Sequence, residues 1–246
     1  MVAMDKDSLF TNLNYNNDKF LFNKDVASVF NDMINRSIPL FSTIHNLILD
    51  ICLAHFKSRS LKVLDLGCST GSFLNYLIHH KLSDNKVSYL GIDQSKDMLD
   101  ILHSKYKDLN NISIATKCIS IDPLLKFFSS DVVVVNLVLQ FIPVENRIKI
   151  LRNIYNCLSK DSCCFVVEKV FFDNSDFQDI SRNVYHEFKY RKGYSKEEIR
   201  NKEKSLKNVL IPCSIDKNIF MLKDAGFSYV SPFFQWVNFV GFIAIK

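Results

Sequence analysis

From Asp25 the chain runs DVASVFNDMINRSIPLF, with apolar side chains at Val26, Val29, Phe30, Met33 and Ile34. That spacing of three and four predicts a helix with one buried face, stopped near Pro39, whose ring cannot continue it. A second helix is expected over about Thr43 to Phe56, so residues 25–58 form a helical cap. Residues 1–24 are rich in Asn, Asp and Lys, lack such a period, and predict a loose arm.

The period then changes. Short apolar runs at Leu61–Leu66, Lys86–Ile92, Ile112–Lys117, Asp131–Val135 and Cys163–Val170 predict strands, and Ser72–His80, Lys96–Lys107 and Val144–Ser159 between them predict helices. Strands alternating with helices build a doubly wound α/β sheet of the Rossmann type. Past Phe172 a polar helical insertion covers 173–210, interrupted at Gly193, and a helix over Ile215–Ala225 stops at Gly226. Two last strands are expected at Phe227–Val230 and Gln235–Ile245. The expected fold is a seven-stranded, mostly parallel sheet with an antiparallel edge, in one domain over residues 1–246.

A composition of 48% hydrophobic and 23% charged residues excludes collagen-like and bulk-disordered chains. The net charge of +5 is spread over scattered lysines; it suits an anionic substrate or a weak contact with tRNA and selects neither. The longest apolar stretch, Val132 to Val144, falls short of the roughly 20 residues that cross a bilayer and contains Asn136, Gln140 and Pro143. The first residues, MVAMDKDSLF, show no apolar signal region, so a cytoplasmic address without membrane contact is expected. Seven cysteines without a C-x-x-C pair predict reduced structural thiols and no metal site.

The chemistry is concentrated in Val63-Leu64-Asp65-Leu66-Gly67-Cys68-Ser69-Thr70-Gly71. An apolar strand ends in D-x-G, and a second glycine opens the next helix. Gly67 can take a backbone conformation closed to other residues and lets a ligand approach the main chain, while Gly71 permits close helix-to-strand contact. The second strand ends Gly91-Ile92-Asp93-Gln94, placing an acid 26 residues beyond Gly67 where it can accept both ribose hydroxyls of an adenosine. Neither the six-residue dinucleotide fingerprint nor a phosphate-cradling loop is present, which favours an adenosine without pyrophosphate, best matched by S-adenosyl-L-methionine. The alternative is that Asp65 caps its turn and Asp93 the following helix.

Asn136, closing the fourth strand, either meets the ligand or satisfies backbone groups. Cys68 is a contact by position and no nucleophile, since no His or Lys adjoins it in sequence. Glu168 and Lys169 end the fifth strand as a pocket wall or an ion pair, and His186 is a surface residue or a substrate contact.

The runs DVASVFNDMINRSIPLFSTI (25–44), DLGCSTG (65–71), NLVLQF (136–141), HEFKYRKGYSKEEI (186–199) and FFQWVNFVGFIAIK (233–246) resemble the carboxy-S-adenosyl-L-methionine synthase family over nearly the whole chain. The resemblance implies a homodimeric, methyltransferase-like protein that binds S-adenosyl-L-methionine without transferring its methyl group. Prephenate is the implied carboxyl source, releasing phenylpyruvate as its carbon dioxide is captured on the sulfonium methyl carbon. The product would supply a separate tRNA carboxymethyltransferase acting on a wobble uridine, so no direct nucleic-acid contact is required.

Carried over residue by residue, Gly67, Cys68 and Ser69 match the cofactor loop, Asp93 and Gln94 the ribose site, and Asn136 the sulfonium side. Gln94 replaces a usual Asn. Phe41 stands where the family's cap offers a tyrosine, and Cys118, beside Ile119, stands where an Asp takes the adenine amino group; Asp122 substitutes only if its loop shifts. Glu203 occupies the position of the arginine that binds the new carboxylate. Arg200, Lys202 and Lys204 nearby form either a rearranged cationic site or a solvated helix surface. Two other functions compete: a conventional methyltransferase on tRNA or a small molecule, and a non-catalytic protein that only retains the ligand.

Overall fold

The structure is a computed structural model that describes residues 6–11, 19–57, 59–84, 86–109 and 112–246. Helix α1 (Lys24–Ser37) starts where the Asn23 side chain accepts from the Val26 N–H, and it buries Val26, Val29, Phe30 and Met33, the stripe set by the sequence period. Helix α2 (Phe41–Phe56) follows after Leu40, which takes a left-handed backbone conformation at φ 53° and turns the chain sharply between the two.

Five parallel strands come next: β1 (Leu61–Leu66), β2 (Val87–Asp93), β3 (Ser113–Cys118), β4 (Ser130–Asn136) and β5 (Leu158–Lys169). Helices α3 (Ser72–His79), α4 (Lys96–Tyr106) and α5 (Val144–Cys157) connect them. The insertion is a helix pair, α6 (Ser175–Arg191) and α7 (Lys196–Leu206), broken at Gly193 with φ 88° and restarted by a capping box between Ser195 and Glu198. Helix α8 (Ile215–Asp224) leads into β6 (Tyr229–Trp236) and β7 (Phe239–Ile245), and β7 runs antiparallel to both β5 and β6.

The strand order is β3-β2-β1-β4-β5-β7-β6. Alternate residues of each strand feed opposite layers. Val132 and Val134 join α2 and α3, whereas Val133 and Val135 join α5 and α8. A strand buried on both faces reads as a continuous apolar run, which is why β4 is so plain in the sequence. The order reverses between β1 and β4, so the loops at their carboxyl ends diverge and open a crevice there.

Three expectations need correction. The last two strands divide at Val237 and Asn238, not within Ser231–Phe234, because Pro232 lies inside β6 at a shift of register. On an edge strand a proline forfeits no ladder bond the fold needs. Helix α5 ends at Cys157 and β5 begins at Leu158, five residues before Cys163, with polar Ser159 to Ser162 disguising the strand's start.

Finally, the described parts of 1–24 are not a loose arm. Asp7, Phe10 and Phe20 are buried. Asp7 accepts from the Tyr194 hydroxyl and its backbone carbonyl accepts from Arg36 at 3.1 Å, so a buried acid with partners accounts for the polar composition. The rest of that arm, and residue 58 of the cap, lie outside the described residues.

Candidate functional site

A cavity of about 910 Å³ opens over the carboxyl ends of β1, β2 and β4, with α1, α6 and α7 contributing its far walls. A smaller alcove of about 50 Å³ shares Gly67, Ser69 and Asn136 with it and adds Phe41, His45 and Cys68. The floor begins at Gly67. Its φ is 73°, its N–H donates to the Ile92 carbonyl at 2.7 Å, and a Cβ there would collide with Val138. Both the left-handed turn and the close approach therefore require glycine.

Asp93 meets two demands at once. One carboxylate oxygen accepts from the Ser69 amide at 2.9 Å and the other from the Ser95 amide at 2.8 Å, and the residue also lines the cavity. Ser95, not Asp93, caps α4. A carboxylate has about four acceptor positions. Two remain for a ligand hydroxyl pair. Burial pushes its pKa up while the amides pull it down. Asp65 does not cap a turn: it is buried behind the loop, accepts from the Tyr89 hydroxyl at 2.7 Å, and burial lifts it to about 7. Burial together with Asp65 and Asp93 pushes the Cys68 thiol far up, so it offers no thiolate.

Asp93→Ala is expected to weaken nucleoside binding by about 1.5 to 3 kcal/mol, the charge-assisted range. Calorimetric titration checks it, and an unchanged dissociation constant would mean that the sugar sits elsewhere.

Gln94 is exposed and lines the cavity, with its Oε1 accepting from the Ser120 hydroxyl at 3.5 Å. Cys118 and Ile119 are outside the described lining, whereas Asp122 reaches it as the loop stands. One Asp122 oxygen already accepts from the amides of Leu124 and Leu125.

The wall after β4 is pinned by a residue that the sequence left ambiguous. Among the described residues Glu168 pairs with no lysine; its oxygens accept from the amides of Val138 at 3.1 Å, Leu139 at 2.8 Å and Gln140 at 2.9 Å. Burial raises its carboxyl to about 8 against the pull of those amides and Arg147.

Asn136 does not satisfy backbone groups. Its Nδ2 lies 3.0 Å from His45 Nε2. His45 was not singled out by the sequence, because it sits one turn past Phe41 in an apolar helix and looks like core.

The end of the cavity away from Asp93 is cationic. Lys169 and Lys189 approach the ring of Tyr185, at 4.9 and 4.4 Å from its centroid, and among the described residues neither ammonium has a hydrogen-bond or ion-pair partner. Burial drives both pKa values down, that of Lys189 to about 7 with help from Lys169 and Lys202. Lys202 is committed elsewhere, donating to Ser37 Oγ at 2.9 Å and facing Asp7 at 3.6 Å.

Glu203 is neutralised by Arg182 through bonds of 3.0 and 2.8 Å, with His186 at 3.6 Å. His186 and Arg182 hold its carboxyl down to about 2. Arg200 is exposed and outside the lining. The structure thus brings Gly67, Ser69, Asp93, Gln94, Asn136 and Glu203 to the large cavity, and Phe41 and Cys68 to the alcove.

This sheet order, with a glycine turn closing β1 and an acid closing β2, defines the Rossmann-like methyltransferase class. The methyltransferase domain family matches residues 64–164. Human N-acetylserotonin methyltransferase in complex with S-adenosylmethionine shares the fold, with a TM-score of 0.59 at 11% identity over 91% of this chain and 55% of that one. Two carboxy-S-adenosyl-L-methionine synthases lie much nearer in sequence. That of Nautilia profundicola is 38% identical over 93% of this chain and 95% of its own, and that of Helicobacter hepaticus is 40% identical over 93% and 95%. The chain belongs to the carboxy-S-adenosyl-L-methionine synthase family.

Proposed function

We propose that the protein carboxylates the sulfonium methyl group of S-adenosyl-L-methionine, taking the carboxyl group from prephenate and releasing phenylpyruvate. One observation carries this reading: a cavity with a nucleoside-type acid, Asp93, at one end and two desolvated ammonium groups, Lys169 and Lys189, at the other, offset among the described residues only by the Tyr185 ring and the nearby charge of Glu203. Buried cations are costly unless something pairs with them. A dicarboxylate does. A conventional methyltransferase would gain nothing from two cations in the cavity that takes its sulfonium, since like charges repel.

The chemistry balances without a side-chain base. Loss of carbon dioxide from the cyclohexadienol dianion expels its hydroxide, which takes the methyl proton as water; the ylide carbon then attacks the carbon dioxide. The protein's part is to hold the two substrates together and exclude bulk water. Arg182, aligned by Glu203, brings a guanidinium from α6 to the cavity, which Arg200 of α7 does not line.

A cytoplasmic setting and a downstream tRNA carboxymethyltransferase belong to the same proposal, supported by the family. So does a second copy of the chain, supported by the exposed apolar stripe Phe177, Ile180 and Val184 on α6. Among the described residues no single helix is long and apolar enough to cross a membrane.

Incubation with S-adenosyl-L-methionine and prephenate, followed by mass spectrometry, tests the activity. Carboxylated sulfonium and phenylpyruvate are expected together. Formation of S-adenosylhomocysteine instead would turn the assignment to conventional methyl transfer, and neither product would leave a binding protein.

A further inference from the structure

We propose that His45 is a positioning residue that locks the Asn136 amide with its oxygen presented to the sulfonium; this rests on the function proposed above. His45 Nδ1 lies 2.8 Å from the Phe41 carbonyl oxygen, which can only accept, so Nδ1 carries the proton. The ring is buried, lies parallel to Tyr76 with centroids 4.9 Å apart, and meets Phe41 edge-on at 4.3 Å, so it has no freedom to turn over. Burial lowers its pKa to about 4, leaving it neutral at physiological pH. Nε2 therefore has a free lone pair, and the Asn136 nitrogen 3.0 Å away must donate to it.

That settles which way the amide faces. Asn136 Oδ1 is buried and has no partner among the described residues, an expensive state for a carbonyl oxygen. It belongs to a residue that lines both the large cavity and the alcove, beside Gly67 and Ser69. A ligand that brings positive charge to this point relieves the orphaned oxygen; a neutral thioether does not. Were the amide to turn over, its NH2 would face the cation instead.

The expected signature is discrimination between S-adenosylmethionine, a sulfonium, and S-adenosylhomocysteine, its neutral counterpart, measured by titration calorimetry of the whole protein. His45→Asn retains a donor for the Phe41 carbonyl and is too short for Asn136; His45→Gln places an acceptor near the Nε2 position. The preference for the sulfonium is expected to fall about tenfold in His45→Asn, equivalent to 1.4 kcal/mol, and to return in His45→Gln. A merely structural histidine would weaken both ligands equally. An unchanged ratio in His45→Asn, with both ligands still binding, overturns the role of His45 alone. Failure of the unaltered protein to bind either nucleoside overturns the site assignment and this inference with it. If His45→Asn does not fold, a His45→Gln protein with the wild-type ratio sustains the proposal and one with the ratio lost defeats it.

Discussion

Replacing Lys169 and Lys189 together by methionine is expected to lower affinity for prephenate at least a hundredfold and leave S-adenosyl-L-methionine binding unchanged. Breaking a desolvated charge contact costs about 2 to 5 kcal/mol, and each 1.4 kcal/mol is a factor of ten. The same variant should melt at a higher temperature. Lys189 is buried and Lys169 half-buried beside one ring, and both are pushed towards neutrality, so the fold bears their desolvation. Methionine fills similar space without it. Binding lost with stability gained is a combination that general damage does not produce.

The pH dependence follows in sign. The folded pKa of Lys189, about 7, lies below its ordinary 10.5. Stability from this source is therefore fully present above 10.5 and is lost as pH falls through about 7. Anion binding runs the other way, because only the protonated lysine attracts a carboxylate. Affinity for prephenate should weaken as pH rises above 7, approaching tenfold per unit, and Lys189→Met should flatten that limb. A wild-type affinity independent of pH between 6 and 9, as roughly spans that transition, would remove Lys189 from the anion site.

The second large effect concerns Glu168. Glu168→Ala leaves the amides of Val138, Leu139 and Gln140 without their acceptor. Each such loss costs about 1 to 3 kcal/mol, and a chain of this size loses about 2 to 4 °C per kcal/mol. A fall in melting temperature of about 10 °C or more is expected. Glu168→Gln should fall between the two, since its carbonyl replaces part of the acceptor set and its NH2 faces a donor. A thermal melt of Glu168→Ala within about 2 °C of wild type would show that the loop does not depend on this clamp.

Much of the framework was legible in the chain because burial leaves a period. The five parallel strands, the helix stripe of α1 and the Gly67 and Asp93 turns all come from local spacing that the fold must obey. The cationic end was not legible for the opposite reason. On a polar helix such as α6, a lysine in a cavity and a lysine in water look alike until the partner surfaces are known. The one clue was that Ser181, Tyr185 and Lys189 recur every four residues, the buried face of α6. His45 was hidden by the converse disguise, a polar group inside an apolar stripe. Arg182 was invisible because its relation to Glu203 spans 21 residues and two helices.

The buried carboxylate of Asp7 has a consequence far from its place in the sequence. It is the acid facing Lys202, one of the charges that depress Lys189. Loss of the Asp7 carboxylate would remove that counter-charge and leave Lys202 with only the Ser37 and Tyr194 hydroxyls, in the same cavity as the other two lysines. The charge balance of the cavity thus depends on a carboxylate remote along the chain from the lysine it faces.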